Sequence, residues 1–293
     1  MIVPTSVSQS LAAAVASESG RELAPATLDR FPDGELLAGV PGFEADRAVI
    51  VAATTSPEAH LELLQLQDAV REAGATNVTT VIAYLGYARQ DKPMAPSTSL
   101  EASPPGYPIS VRAMARAIST GTDRVLVVTP HESAVLDFFD VPATEVDATS
   151  DLASGLPKDL TDPLFVAPDE GALAMATSIR DAYGTGDVDH FTKQRIDPET
   201  VVLEPSETNP SERNVVIVDD IISTGGTASE AVRLLDERGA HRVYVTCVHA
   251  VLAGNARTKL ARAGVTDIIA TDTVEGPSSR VTVAPSVVAA LEE

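Results

Sequence analysis

The chain has little of several things. It has one cysteine, Cys247, in 293 residues. That excludes a disulfide framework and a cysteine-built metal site. Cys247 stands in the apolar run "VYVTCVHAV", which reads as a core thiol rather than a nucleophile. No run of about 18 apolar residues occurs, so no helical membrane span is expected. The start, "MIVPTSVSQSLAAAVASESG", has neither a basic stretch nor a long apolar block, so no secretory leader is expected. A cytoplasmic location follows as the expectation. Lysine is scarce as well: only Lys92, Lys158, Lys193 and Lys259 occur. With 42 acids against 21 bases, the formal charge is −21. A surface this acidic repels a phosphodiester backbone, which argues against nucleic-acid binding. The acids are dispersed along the chain, a pattern suited to high salt, where screening removes most of the self-repulsion.

What is present is a 44% hydrophobic composition, enough for a real core, and a regular alternation of strand-like and helix-like stretches. "RAVIVAA" (47–53) reads as a buried strand. Ser56 and Pro57 read as a helix start, Leu61, Leu64 and Ala69 recur at helical spacing, and Gly74 reads as the stop. "NVTTVIAYL" (77–85), "RVLVVTP" (124–130), "RNVVIVDD" (213–220) and "HRVYVTCVHAV" (241–251) continue the series. This alternation predicts mostly parallel sheets flanked by helices. The chain also resembles itself. "VIV" at 49–51 followed by "REAGATNVTTV" at 71–81 echoes "VIV" at 216–218 followed by "DERGAHRVYVT" at 236–246. Two similarly folded halves are expected, 1–147 and 148–293, divided in the turn-rich "VDATSDLASGLP".

The halves differ at one loop. The second carries "DDIISTGGT" after its strand; the first has "ATTSPEAH" there, with no acid pair and no glycines. No Gly-Lys-Ser/Thr follows the second loop, so it is not a Walker A motif. The amides and hydroxyls of Ser223, Thr224, Gly225, Gly226 and Thr227 can wrap a terminal phosphate at the helix start. Asp219 and Asp220 would repel that phosphate on contact. They fit a sugar phosphate, whose hydroxyls donate to the carboxylates while its anionic end sits in the loop.

"VVIVDDIISTGGT" resembles the ribose-phosphate loop of the phosphoribosyltransferase-type fold. Two tandem domains of that fold, one with a degenerate loop, resemble the ribose-phosphate pyrophosphokinases of archaeal kind. "RFPDGE" (30–35) and "GYARQD" (86–91) are similar to the ATP-binding segments of that family. The resemblance points to Phe31, Asp33, Gly34, Glu35, Arg89, Gln90 and Asp91 as ATP contacts. Arg89 can pair with phosphate oxygens in bidentate fashion. His131 in "TPHESAVLDFF" and Asp169 in "APDEGALAM" each follow a strand-like run. Both resemble the family's divalent-metal positions, which implies Mg²⁺. "DHFTKQRIDPE" (189–199) resembles its flexible catalytic arm. Lys193 and Arg195 are then the catalytic cations, with Arg195 also reaching the ribose 5-phosphate. In an extended segment both point to one side.

The implied reaction moves pyrophosphate from ATP to the 1-hydroxyl of ribose 5-phosphate, giving phosphoribosyl pyrophosphate and AMP. The implied assembly is a homodimer or larger homo-oligomer, in which "RFPDGE" completes a neighbour's ATP site. Two alternatives stay open: a phosphoribosyltransferase that needs no ATP, and a non-catalytic nucleotide-binding paralogue. One departure from the family stands out. After "ARQD" the chain continues as "KPMAPSTSLEASPPGYPIS" (92–110), longer than usual and rich in Pro and Ser, and reads as a surface loop.

Overall fold

The computed structural model describes residues 1–93, 106–195, 201–204 and 208–293, with 193–195 and 201–204 described by backbone alone. The expected 92–110 loop therefore lies mostly outside the described residues. The chain forms two compact units.

The first unit is built on β1 (Ile2–Pro4), α1 (Gln9–Ser19), β2 (Thr27–Arg30), β3 (Leu36–Gly39), β4 (Arg47–Ala53), α2 (Pro57–Glu72), β5 (Asn77–Tyr84), α3 (Ser110–Ser119), β6 (Arg124–Val128) and β7 (Ala143–Val146). Its sheet runs β1-β4-β5-β6-β7, with every neighbouring pair parallel. Burial on both faces explains the unbroken apolar runs: Ile50, Val51 and Ala52 on β4 and Val81, Ile82 and Ala83 on β5 are fully enclosed. Helix α2 starts as the sequence predicts. The Ser56 hydroxyl accepts from the Ala59 N–H at 3.1 Å, and Pro57 fills the first turn. The chain turns out of the helix at Gly74, with φ 106°. The helix's buried stripe is a correction to the expected one. It runs through Ala59, Leu63, Leu66 and Val70, while Leu61 is 46% exposed. Leucines fall at helical spacing on both faces of α2, so periodicity alone does not choose between them. Strands β2 and β3 form a separate antiparallel ribbon. Its base is fixed to α2 through Gln65, which accepts from the Ala38 N–H at 2.7 Å and donates to the Leu36 carbonyl at 2.9 Å.

The second unit contains β8 (Leu164–Ala167), α4 (Leu173–Tyr183), β9 (Asp187–His190), β10 (Thr192–Arg195), β11 (Val201–Glu204), β12 (Asn214–Ile221), α5 (Gly226–Glu237), β13 (Arg242–His249), α6 (Ala256–Arg262), β14 (Asp267–Thr271) and β15 (Ser279–Val281). Its sheet is also all parallel, in the order β15-β14-β13-β12-β8-β9. The β10–β11 ribbon is antiparallel and separate. The internal likeness has a structural counterpart: β4-α2-β5 and β12-α5-β13 are the same repeat of strand, helix and parallel strand, each closed by a glycine at positive φ, Gly74 and Gly239. Cys247 is fully buried on β13, and burial pushes its thiol pKa far up, which removes thiolate character.

A single cut after residue 147 does not divide the chain. Residues 273–275 and 282–293 cluster with the first unit, and 148–272 with 276–281 form the second. The returning helix α7 (Ala284–Glu292) packs against α1, burying Ala284, Val287 and Val288. Arg124 donates to its Ala290 carbonyl at 3.0 Å. Glu275 accepts from the Ser10 and Leu11 N–H groups at 2.6 and 3.0 Å. It caps α1, where the local cap residue Ser8 makes no such bond.

Candidate active site

The second unit gathers its chemistry at the carboxyl ends of β8 and β12, the edge where parallel α/β sheets hold ligands. Strand β12 carries Asp219 and Asp220 at its end, both half-buried. Each carboxylate is oriented by the next residue: Asp219 accepts from the Asp220 N–H at 3.0 Å, and Asp220 from the Ile221 N–H at 2.8 Å. Strand β8 lies parallel beside β12, in register Ile217↔Val166, and Asp169 follows its end. The three acids sense one another. Burial, then the Asp220 carboxylate, and more weakly Asp169, push the Asp219 pKa well above the usual carboxylate range.

The loop after β12 is shaped from behind. The carbonyls of Ile222 and Ser223 accept from the N–H groups of Leu252 and Ala253, each at 2.9 Å. The Thr224 carbonyl accepts from the Lys259 ammonium at 3.4 Å. Gly225 sits in the left-handed region at φ 69°, and a Cβ there would stand 3.3 Å from the Ala256 methyl. Glycine is needed on both counts. Helix α5 then begins at Gly226, and no side chain of the described residues caps it. Thr224 and Gly226 are exposed, and Ser223 and Thr227 half-exposed, around this uncapped start. An uncapped helix N-terminus with its carbonyls tied away behind it is an anion seat. Sequence reasoning missed the supporting segment 252–259. The only available signal is that β13 is the parallel neighbour of β12, so the connection after it must pass beside the loop.

The expected ATP segments both lie in the first unit. "RFPDGE" is the turn of the β2–β3 ribbon. The Asp33 carboxylate accepts from the Glu35 N–H at 3.1 Å, Phe31 and Gly34 close the turn, and Arg30 donates to the Gly34 carbonyl at 2.9 Å. Gly34 supplies the positive φ of 95°. Phe31, Asp33 and Glu35 are all exposed. "GYARQD" follows β5: Arg89 is exposed, while Gln90 and Asp91 are half-buried. His131 stands exposed just past β6.

His131 belongs to the first unit and Asp169 to the second, so neither unit alone joins the two expected metal positions. Among the described residues, no group of three or more His, Cys, Asp or Glu forms a closed metal cage. The donor chemistry at Asp169 nonetheless fits Mg²⁺. Asp169 offers carboxylate oxygens and adds to the upward pull on the Asp219 pKa, and Mg²⁺ prefers oxygen donors and fills the rest of its shell with water and phosphate. Lys193 and Arg195 lie two residues apart on β10, facing Leu203 and Val201 in the backbone register. Their side chains lie outside the described residues.

A parallel α/β sheet with paired acids and an uncapped glycine-opened helix at its carboxyl edge is the arrangement expected of the phosphoribosyltransferase-type fold. Comparison with known proteins narrows this. A family model described as the N-terminal domain of ribose phosphate pyrophosphokinase matches residues 1–121, and one described as the phosphoribosyl transferase domain matches 142–280. The chain is 54% identical to a ribose-phosphate pyrophosphokinase of Halobacterium salinarum, over 99% of this chain and 100% of that one. It is 40% identical to that of Methanopyrus kandleri, over 100% and 98%. The crystal structure of phosphoribosylpyrophosphate synthetase from Mycobacterium smegmatis superposes with a TM-score of 0.79 at 26% identity, covering 100% and 97%. The chain belongs to the ribose-phosphate pyrophosphokinase family, whose members are kinase-type transferases.

Proposed function

We propose that the chain transfers the β,γ-pyrophosphoryl group of ATP to the 1-hydroxyl of ribose 5-phosphate. The observation that carries this reading is the uncapped, glycine-opened start of α5 beside Asp219 and Asp220. The 5-phosphate takes the N–H groups of Ser223–Thr227. Asp219 and Asp220 accept from the ribose hydroxyls, and hydroxyl donors offset the burial and the Asp220 repulsion that raise the Asp219 pKa. This fixes the sugar at both ends, with its 1-hydroxyl free to react. That oxygen attacks the β-phosphorus as the bond to the bridging oxygen of the leaving AMP breaks, and the hydroxyl proton passes to solvent. The barrier is largely charge crowding, so catalysis is positioning plus cations. Arg89, with Gln90, Asp91 and the Phe31–Glu35 turn, holds ATP. Lys193 and Arg195 hold the charge on the transferring group. Asp169 of the second unit and His131 of the first would each offer a donor to Mg²⁺, which would neutralise phosphate oxygens.

The β2–β3 ribbon leaves Leu28, Phe31 and Leu37 42–48% exposed. An exposed apolar ribbon bearing nucleotide contacts suits burial against a second copy, so the active form is at least a dimer. Cytoplasmic location fits ATP as substrate. No described helix is long and apolar enough to cross a membrane. Incubation with ATP, Mg²⁺ and ribose 5-phosphate should release AMP in equal amount to phosphoribosyl pyrophosphate. Turnover of phosphoribosyl pyrophosphate with a free base, and none with ATP, would assign the chain to the transferases instead.

A further inference from the structure

The first unit contains a built support that the reaction scheme does not use. Thr54, just past β4, is 1% exposed and ties the end of β5 to the loop that follows it. Its hydroxyl accepts the Gly86 N–H at 2.8 Å and donates to the Tyr84 carbonyl at 3.0 Å. Its own N–H reaches the same carbonyl at 2.9 Å. Gly86 lies flush on this surface. A Cβ there would stand 2.1 Å from the Thr54 carbonyl oxygen and 3.1 Å from the His60 Nε2. His60, on α2, is 7% exposed, and its Nε2 has no hydrogen-bond partner among the described residues. Burial lowers its pKa, which keeps the imidazole neutral.

The next residue is strained. Tyr87 takes φ 65°, a left-handed conformation that costs a non-glycine residue roughly 1–2 kcal/mol. Such a conformation persists only where its surroundings dictate it. Here the surroundings are the Thr54 latch on one side and the His60 ring on the other, its centroid 5.6 Å from the Tyr87 ring. The turn then closes through Gln90 N–H to the Tyr87 carbonyl at 2.8 Å, and it carries the exposed Arg89. A leucine at 60 would fill the space without burying an unpartnered nitrogen, so packing alone does not account for histidine.

We infer that Thr54 and His60 are positioning residues for the nucleotide: they seat Gly86 and hold the strained Tyr87 turn that aims Arg89 at the phosphates of ATP. This rests on the reading of residues 86–91 as an ATP loop. Neither residue touches substrate; both act through the turn.

The test is steady-state kinetics on the full chain with ATP and ribose 5-phosphate varied separately, alongside Arg89→Ala. Thr54→Val keeps the shape and removes the latch, leaving the Gly86 N–H buried without an acceptor. It should raise the KM for ATP roughly tenfold, and leave the KM for ribose 5-phosphate and kcat at saturating ATP within about twofold. Thr54→Ser restores the hydroxyl and should return the ATP KM close to wild type. His60→Ala, which removes the wall beside Tyr87 but no hydrogen bond, should raise the ATP KM by a smaller factor. It keeps the inference testable if Thr54→Val does not fold. A change in melting temperature with no selective change in ATP KM in the folded variants would reduce both residues to structural support and overturn the inference. Equal loss of both substrates would do the same. If Arg89→Ala raises the ATP KM while the Thr54 and His60 variants do not, the seat fails and the ATP loop survives. If Arg89→Ala also leaves the ATP KM unchanged, the loop assignment itself is wrong, and the inference falls with it.

Discussion

Replacing Gly225 tests the phosphate seat at its tightest point. Two independent costs apply. The residue holds φ 69°, and any side chain there pays about 1–2 kcal/mol for the left-handed region. An added Cβ also meets the Ala256 methyl at 3.3 Å, closer than ordinary contact, on a helix held in place by the fully buried Leu260. The loop can escape both costs only by rotating Gly225, and that turns the N–H groups at the start of α5 away from the phosphate. Gly225→Ala should therefore raise the KM for ribose 5-phosphate about five- to thirtyfold, the factor equivalent to about 1–2 kcal/mol. The KM for ATP should stay within about twofold. Gly225→Asn should do less harm at the dihedral, because asparagine tolerates this region better. The Ala256→Gly, Gly225→Ala double variant should recover only the contact part. The assay is initial-rate AMP release with each substrate varied in turn, on protein shown to be folded by its melting curve. A Gly225→Ala enzyme with wild-type affinity for ribose 5-phosphate would mean that the phosphate does not bind at the start of α5.

Four further outcomes follow from the same geometry. Lys193→Ala should lower kcat by about two to four orders of magnitude with much smaller changes in KM, the pattern expected for a lost transition-state cation; near wild-type kcat would remove Lys193 from the chemistry. Asp33→Ala and Lys193→Ala chains, each inactive alone, should regain at most about a quarter of wild-type activity when mixed, if each subunit lends its β2–β3 ribbon to its neighbour; no recovery despite demonstrated subunit exchange would place both residues in one chain's site. Asp219→Asn should raise the melting temperature of the ligand-free protein in EDTA. The native pKa of Asp219 is raised, so the native state holds its proton more tightly than the unfolded chain does. Wild-type stability therefore falls as pH climbs from ~3.9, the unfolded value, through the native pKa, and the variant's advantage should open across that window; an advantage independent of pH would refute the assignment. Glu275→Ala should destabilise the first unit by about 1 kcal/mol, a typical helix-cap loss, read by urea unfolding; a change within error would show that the Glu275 cap is immaterial.

The parts of the fold legible in the sequence were the parts whose signals are local. The strands at 47–53, 77–85 and 213–220 announce themselves as apolar runs because parallel sheets bury both faces. The start of α2 is written in Ser56-Pro57 and the anion loop in "DDIISTGGT". What escaped were contacts made over long stretches of chain. Nothing near residue 275 signals that its carboxylate caps a helix at residues 10 and 11. Nothing near 284–292 shows that this helix returns to the first unit. The support beneath Gly86 is of the same kind, since Thr54 and His60 fall outside the motif they hold. The acids at 219 and 220 were legible as residues, and the upward pull on Asp219 was not, because it depends on burial and on Asp169 half a sheet away in sequence.

On the proposed function, the two halves of the repeat differ in a way that suits only the second to hold a phosphate. In the first, the strand β4 leads to Ser56, whose hydroxyl caps α2 from within, and Pro57 removes one of the donors a ligand could use. That helix start is complete and has little left to offer an anion. In the second, the same position holds Gly225, which has no side chain to cap with, and α5 begins with its first-turn donors unmet by any described side chain. The loop's carbonyls, which would repel a phosphate, are drawn back by the N–H groups of Leu252 and Ala253 and by Lys259. A self-capped helix gains local stability, worth about 1 kcal/mol, and gives up the site. An uncapped one forgoes that stability and keeps the donors for a ligand. On the proposed function, the nearby carboxylates would choose the anion: a bare phosphate would meet their repulsion, while a phosphate carried on a ribose would bring hydroxyl donors to satisfy them.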